Sequence, residues 1–400
     1  MTDCAKCGAC TVVCPLYQVT GQEFLTARGK IHLLERLVVA DGSGALGEIL
    51  SRCLLCGACT AACPRGLDIV DRIARARGEL PSPPGRHPFL ALLARKTLSH
   101  PPLLAGLAHL GRALPADSGL RLRLGIAPAK KGAPSDPNRP TSAGQATVAY
   151  FSGCLARHLD PQIATATGRL AARASGHAPW TPPGQTCCGQ AAWAAGDFQT
   201  AKTLARRNIA AFLDNDLPIL TSCASCHSHL ATYPALLADD SQWHERAVAF
   251  SDRLYEFSSF LTACPDFATW FHRQADTPRQ AVLYHDPCHL RFGQQITEPP
   301  RRLLRSIDGL ALRELPHGPQ CCGMGGLFHL AHPDLSQAIR TRLLDDFATL
   351  GIALVTTTCT GCLLQWRQGL SHWRQKTSVR HLAVLLDQWL LPATTPRPGE

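Results

Sequence analysis

Cys4, Cys7, Cys10 and Cys14, with Pro15 following, recur as Cys53, Cys56, Cys59 and Cys63, with Pro64 following. Three closely spaced thiolates and a more distant fourth, placed before a proline that ends the turn, suit 4Fe–4S cubanes. In two-cluster domains of this spacing the fourth cysteine ligates the other cluster. The expected ligand sets are Cys4, Cys7, Cys10 and Cys63 for one cubane, and Cys53, Cys56, Cys59 and Cys14 for the other. Zinc is the competing metal, but it favours two separated C-x-x-C pairs over four cysteines in one tight run. A disulfide framework would need an oxidising compartment, and the residues ahead of Cys4 do not make a signal peptide. Electron handling is the chemistry that these residues predict.

A second kind of cysteine group also occurs twice. Cys154, Cys187-Cys188-Gly189 and Cys223-x-x-Cys226 are followed by Cys288, Cys321-Cys322-Gly323 and Cys359-x-x-Cys362. The offset is 134 (288 − 154) for the first three cysteines and 136 (359 − 223) for the last two. Five cysteines kept in one order at nearly constant offset mark an internal duplication. Adjacent cysteines do not easily take two corners of one regular cubane, and a fifth thiolate exceeds what a cubane requires. These groups therefore point to a more open metal site, with zinc as the alternative. Cys264 stands outside every group and reads as a small buried hydrophobe. His227, His229, His285 and His289 flank the cysteine loops and read as tuning or structural neighbours rather than ligands.

The elements that must position these residues change character along the chain. Residues 1–80 read as a small helical domain held together by its clusters. A helix is expected over 24–41, where Leu25, Ile31, Leu34, Leu37 and Val38 recur at helical spacing, and a closing helix over 67–78. Arg28 and Lys30, on either side of Gly29, set two cations near the cluster loops, or else line a solvated helix face. Residues 81–145 form a helical segment and linker. Leucine-rich helices are expected over 89–98 and 103–114, with Pro101-Pro102 between them. Their apolar faces need a partner: the protein's own core, a flavoprotein subunit or a membrane surface. Residues 127–144, rich in Pro, Gly, Ser and Lys, read as a flexible linker. From 146 onward strands and helices alternate, with strands over 146–151, 218–222, 281–285 and 352–356. Long helices are expected over 161–175, 198–214 and 334–350. The cysteines fall at the carboxyl ends of strands and in adjacent loops, where α/β sheets place their sites.

Composition sets the outer bounds. A chain of 400 residues is too long for one compact core. Nineteen cysteines without a secretory signal indicate metal ligation in a reducing, cytoplasmic setting. The net charge is +10, from 40 Lys and Arg against 30 Asp and Glu. That excess suits an acidic partner or an anionic membrane face, or simply offsets negatively charged clusters. Aromatics are only 6% of the chain and do not alternate with basic runs, which argues against nucleic acid. No apolar run is long enough to span a bilayer, so the expected location is cytoplasmic, free or peripheral on the inner membrane face. No glycine-rich dinucleotide fingerprint or P-loop occurs, and no flavin site of its own is expected.

A C…CCG…C-x-x-C module, present twice behind a double cubane motif, resembles the cysteine-rich (CCG) iron–sulfur protein family. That family includes the iron–sulfur subunit of glycolate oxidase and the catalytic subunit of heterodisulfide reductase. Residues 21–34 and 321–336 look closest to the glycolate oxidase branch, through Ala27-Arg28-Gly29-Lys30, Gly325-Gly326 and His332-Pro333-Asp334. The implied fold is α plus α/β. A small helical bis-4Fe–4S ferredoxin-like domain precedes two tandem α/β cysteine-rich domains, over 146–264 and 281–392. The resemblance also implies that Cys154, Cys187, Cys188, Cys223 and Cys226 hold one noncubane 4Fe–4S cluster. Cys288, Cys321, Cys322, Cys359 and Cys362 would hold another, unless zinc takes one site. The implied role is electron transfer from an FAD-binding 2-hydroxyacid (glycolate or lactate) dehydrogenase subunit to a quinone or other carrier. Because all ten module cysteines are kept, heterodisulfide-reductase-like disulfide cleavage is the rival expectation.

Overall fold

The computed structural model describes residues 4–36, 44–79, 88–114, 143–271, 279–371 and 377–391. The two cubane-type runs fold alike. Lys6 and Leu55, each two residues after the first cysteine, take φ of 54° and 53°. Gly8 and Gly57 follow at 82° and 81°. A one-turn helix then begins, Ala9–Val12 in the first run and Ala58–Ala61 in the second. Cys14 caps the helix Pro15–Thr20, whose first residue supplies the proline favoured at that position. The helix expected over 24–41 begins with a 3-10 turn, Glu23–Leu25, and continues as Ala27–Arg36. Residues 37–41 lie outside the described residues. Gly29 sits inside this helix because a Cβ there would come within 2.5 Å of the Glu23 carbonyl oxygen. The closing helix spans Ile69–Glu79. Ala27, Leu46, Leu50, Leu55, Ile69 and Ile73 form the core of this region. At about 2 kcal/mol for each large apolar side chain, such a core is slender by itself.

The leucine-rich stretches are the helices Pro88–Ser99 and Pro101–Arg112, which form a hairpin. Leu104 and Ala108 on the inner side pack with Leu98 against Leu155 and Leu159. The other face stays exposed. The protein's own core thus covers only part of the apolar surface. The linker expected over 127–144 lies almost entirely outside the described residues.

Both cysteine-rich modules are parallel α/β layers. In the first, β1 (Ala149–Phe151), β2 (Ile219–Thr221) and β3 (Leu254–Glu256) lie in the order β1-β2-β3. In the second, β4 (Gln280–Tyr284), β5 (Leu310–Arg313), β6 (Leu354–Thr357) and β7 (Ser378–His381) lie in the order β5-β4-β6-β7. Trp180, bridged to Ala149, takes the place in the first sheet that β5 takes in the second. The register repeats too, with Ala149 opposite Ile219 and Leu283 opposite Val355. Helices pack on both faces of the strands, so alternate residues enter two different cores. Ala149, Phe151, Leu283 and Val355 enter one, and Tyr150, Leu220, Val282 and Leu354 the other. Each core continues across both modules. The helix Pro161–Ser175 of the first packs on Leu382–Trp389 of the second, where Arg169 Nε donates to Asp387 at 2.8 Å.

Candidate metal centres

The cubane-type cysteines gather into two hollows. One is lined by Cys4, Cys7, Cys10 and Cys63, the other by Cys14, Cys53, Cys56 and Cys59. Basic residues border both hollows, Lys6, Arg28 and Arg65 at the first and Lys30 at the second. Arg28 borders the first, donating to the Lys6 carbonyl at 3.1 Å and pairing with Glu23 at 2.8 Å. Lys30 borders the second, only 1% exposed, and its ammonium donates to the Leu25 carbonyl. The solvated-face alternative therefore fails for Lys30. Burial pushes the Cys10, Cys14 and Cys56 thiols up, and Cys59 up to about 12. Deprotonating such thiols needs a cationic partner, which a metal centre supplies.

In the modules, strand ends and helix starts deliver the sulfurs. Cys154 opens the helix Cys154–His158 just after β1. Cys223 caps Ala224–Leu230 after β2, and Cys359 caps Thr360–Leu370 after β6. The first module forms an unbroken row of interacting thiols: Cys154 with Cys187, Cys187 with Cys188, Cys188 with Cys226, and Cys226 with Cys223. Hydrogen bonds from Cys154 and Cys188 hold Cys187 well below the usual thiol range. Those from Cys226 and Cys359 do the same for Cys223. The second module is divided. Cys288 pairs with Cys321, whereas Cys322 and Cys362 stand 3.4 Å apart and Cys362 continues to Cys359.

An imidazole joins that second module. The ligand atoms of His285, Cys322 and Cys362, all buried, lie within 4.8 Å of one another. Cys362 and then His285 hold the Cys322 thiol well below its ordinary range. The residue at the equivalent offset in the first module is Phe151, so the two sites differ in donor chemistry. Only the placement of His285 three residues before Cys288, at a strand end, hinted at this. His289 Nδ1 lies 2.9 Å from the Ser225 hydroxyl, and burial pushes the His227 and His229 imidazoles down to about 4. Cys264 belongs to none of these groups and packs at the edge of a hydrophobic core.

The four groups neighbour one another in a definite order. Cys59 feels Cys10 across the two ferredoxin-like hollows. Burial first, and then the neighbouring Cys321, raises Cys56, which also adds to the raised Cys288. Cys359 in turn meets Cys223. The second module's cysteines thus stand between those of the ferredoxin-like region and those of the first module. Leu54 packs with Phe328 and Ile339 at the same junction, and the Ser51 hydroxyl lies 2.9 Å from His332 Nε2. Gly196 (φ 81°) lets its backbone approach Gly78, where a Cβ would come within 2.5 Å of the Gly78 nitrogen. All nineteen cysteines are free thiols despite this crowding. Free thiols in groups of four and five, all but Cys7 buried or half-buried, fit soft-metal centres, as does His229 Nε2, left without a hydrogen-bond partner. Iron–sulfur clusters fit all four groups, and a Cys/His set also suits zinc in the second module.

Residues 1–67 match the model of a 4Fe-4S dicluster domain, and residues 148–231 and 282–367 each match that of a cysteine-rich domain. A probable glycolate oxidase iron-sulfur subunit of Bacillus subtilis (strain 168) is 33% identical over 96% of this chain and 93% of its own length. Lactate utilization protein A 2 of Bacillus cereus (strain AH820) is 29% identical over 61% of this chain and 98% of its own. Among solved structures, a hypothetical protein from Helicobacter pylori shares the fold, with a TM-score of 0.52 and 10% identity over 94% of this chain and 70% of its own. With the dicluster motif, the duplicated five-cysteine modules and a full-length relative in agreement, the chain belongs to the cysteine-rich iron–sulfur protein family that includes the glycolate oxidase iron–sulfur subunit.

Proposed function

We propose that this chain is the electron-transfer subunit of an FAD-linked 2-hydroxyacid dehydrogenase or oxidase complex. A flavoprotein partner oxidises glycolate or lactate, and this chain passes the electrons to a quinone or another carrier. The observation that carries this reading is the contiguous order of four thiol groups from Cys4 to Cys154. Cys4, Cys7, Cys10 and Cys63 hold one cubane in this reading, and Cys14, Cys53, Cys56 and Cys59 the other. The two five-cysteine groups hold noncubane clusters, with zinc as the alternative occupant of one. Bound clusters supply one-electron steps, which divide the electron pair of a reduced flavin. The chain's own residues set where those steps occur: Arg28 and Lys30 place positive charge at the first two sites, and Ser225 and Thr360 place hydroxyls on the sulfurs between the modules. Among the described residues no helix is long and apolar enough to cross a membrane.

A second reading is a disulfide reductase of the heterodisulfide type. It is favoured by the ten retained module cysteines and by the contact of Cys223 with Cys359, which adjoins the two five-cysteine sites. Anaerobic affinity purification from the native host separates the two. A stoichiometric FAD-containing partner that reduces the clusters with glycolate or lactate supports electron transfer. Purification without such an oxidase, together with cluster reoxidation by a disulfide, supports the reductase. Abundant zinc with little iron refutes both.

A further inference from the structure

A cavity of about 240 Å³ opens where the ferredoxin-like region, the helical hairpin and both cysteine-rich modules meet. Cys53 and Arg77 form part of its wall. Two further walls are related by the duplication. Residues 191–197 follow Cys187-Cys188-Gly189, and residues 325–331 follow Cys321-Cys322-Gly323, at the same offset of 134 (325 − 191). The remaining wall is helix Pro88–Ser99, through Ala91, Leu92 and Arg95. Drug-sized ligands occupy roughly 300–1,000 Å³, so this space suits a single ring.

Charge on these walls is already engaged. Arg77 donates to the carbonyls of Leu50, Ser51, Cys53 and Ala194 at 2.5–3.2 Å. Arg95 pairs with Asp197 at 3.5 Å. A carboxylate or phosphate would therefore compete with bonds already made. Arg95 keeps 13% of its side chain accessible at this wall, and at 3.5 Å its pair with Asp197 is long enough to leave the guanidinium free to donate to a neutral acceptor oxygen. Helix Pro88–Ser99 also carries Phe89, Leu90 and Leu93 at 71%, 50% and 51% exposure, and the next helix adds Leu103, Leu107 and Leu110. The hairpin that walls the cavity thus presents uncovered apolar surface beside it.

We propose that this cavity binds a quinone, with its ring between the duplicated walls and a carbonyl oxygen accepting from the Arg95 guanidinium. The apolar tail lies along the exposed leucines of the hairpin. This rests on the electron-transfer reading and supplies its acceptor site. Reduction needs two electrons, one from each of two reduced clusters, and two protons from solvent; both ring carbonyls become hydroxyls. Cys53, a proposed ligand of the second cubane, is itself in the wall, so no further relay is required.

The test uses cluster-loaded protein. Menadione binding is measured by calorimetry on the oxidised form, where no electron moves. Anaerobic reoxidation of dithionite-reduced protein by decylubiquinone follows. Ala91→Trp fills the cavity from the hairpin side, and Arg95→Leu removes the donor. Both should weaken binding and slow reoxidation at least tenfold, with iron content and cluster spectra matching the wild type. Wild-type affinity and rate in Ala91→Trp with full clusters would overturn the proposal. If that variant loads clusters poorly, Ala195→Leu on the facing wall takes its place with the same two outcomes. Reoxidation by cystamine but not by quinone, blocked by the filling variant, would overturn it in favour of a disulfide site. Dithionite supplies the electrons, so failure of the 2-hydroxyacid reading leaves this result interpretable.

Discussion

The Ser225 hydroxyl of the first cysteine-rich module stands 3.2 Å from the Cys359 sulfur of the second. The relationship is nearly reciprocal, since the Thr360 hydroxyl stands 3.2 Å from the Cys223 sulfur. The Ala224 amide also donates across the boundary to the Thr358 carbonyl at 2.9 Å. The boundary between the modules therefore includes cysteines of both five-cysteine groups and their hydrogen-bond partners. Once Cys359 is a thiolate, the Ser225 hydroxyl donates to it, which stabilises the reduced, more negative state of a centre bound there.

Replacing Ser225 with alanine removes that donor and leaves His289 without its partner. A hydrogen bond of about 1 kcal/mol corresponds to roughly 40 mV for one electron. The potential of the second-module centre should fall by about that amount with metal content unchanged, read by an EPR-monitored redox titration. An unchanged potential would remove the hydroxyl from any tuning role.

Lys30 is the buried cation of the second ferredoxin-like hollow, near Cys14, Cys53 and Cys59. A unit charge about 8 Å from the centre of a cluster, at an effective dielectric near 20, is worth on the order of 2 kcal/mol. Lys30→Met should lower the potential of that cubane alone by roughly 90 mV. Arg28→Met, at the more exposed first hollow, should shift its own cubane less.

Arg77 ties the loop at Cys53 to the first module through Ala194. Arg77→Met leaves four carbonyls without their donor and should cost on the order of 3 kcal/mol in denaturant unfolding of the loaded protein. Arg77→Lys should recover only part, because an ammonium lacks the planar fork that reaches carbonyls on two sides. Full recovery would show that charge, not geometry, holds the loop.

His381 gives a pH-dependent contribution. Its Nε2 lies 3.0 Å from the Ser222 carbonyl, and Nδ1 accepts from the Ala383 amide at 3.2 Å, so the ring is held neutral between the modules. Burial pushes its pKa down to about 4. A depressed folded value contributes stability that is fully present above the unfolded pKa near 6.5 and is lost as pH falls through 4. His381→Gln keeps both hydrogen bonds without a titrating group. The stability difference between wild type and variant should change by on the order of 2–3 kcal/mol between pH 7 and pH 4. A pH-independent difference would exclude His381 as the titrating group.

Cys188 lies mid-row in the first module, between Cys187 and Cys226. Cys188→Ala should remove iron from that module while the other centres keep their spectra, checked by iron and labile sulfide analysis with EPR. Unchanged iron would sink the five-cysteine assignment.

Cysteine spacing by itself determined most of the chemistry of this protein. The C-x₂-C-x₂-C-x₃-C-P run is local, so its loop conformation follows from the run itself, as the matching φ angles of Lys6 and Leu55 show. The duplication was equally legible, because the offset between Cys154 and Cys288 survives as a repeated strand register. The helix Pro161–Ser175 could be read to the residue from its proline start and its apolar face. Strand ends were less legible, since β1 spans only Ala149–Phe151 and short buried strands carry no periodic signal. Tertiary structure alone decided which groups adjoin. Chain order would put the first module's cysteines next to those of the ferredoxin-like region, yet Cys56 adjoins Cys321 and Cys359 adjoins Cys223. The physical reason is that each module's strands and helices enter cores that continue into the other. Burying those shared faces fixes the modules back to back about their cysteine loops, whatever the order of residues along the chain. The entry of His285 beside Cys322 and the cavity walled by Cys53 and the helical hairpin follow from that packing, and no local pattern records them.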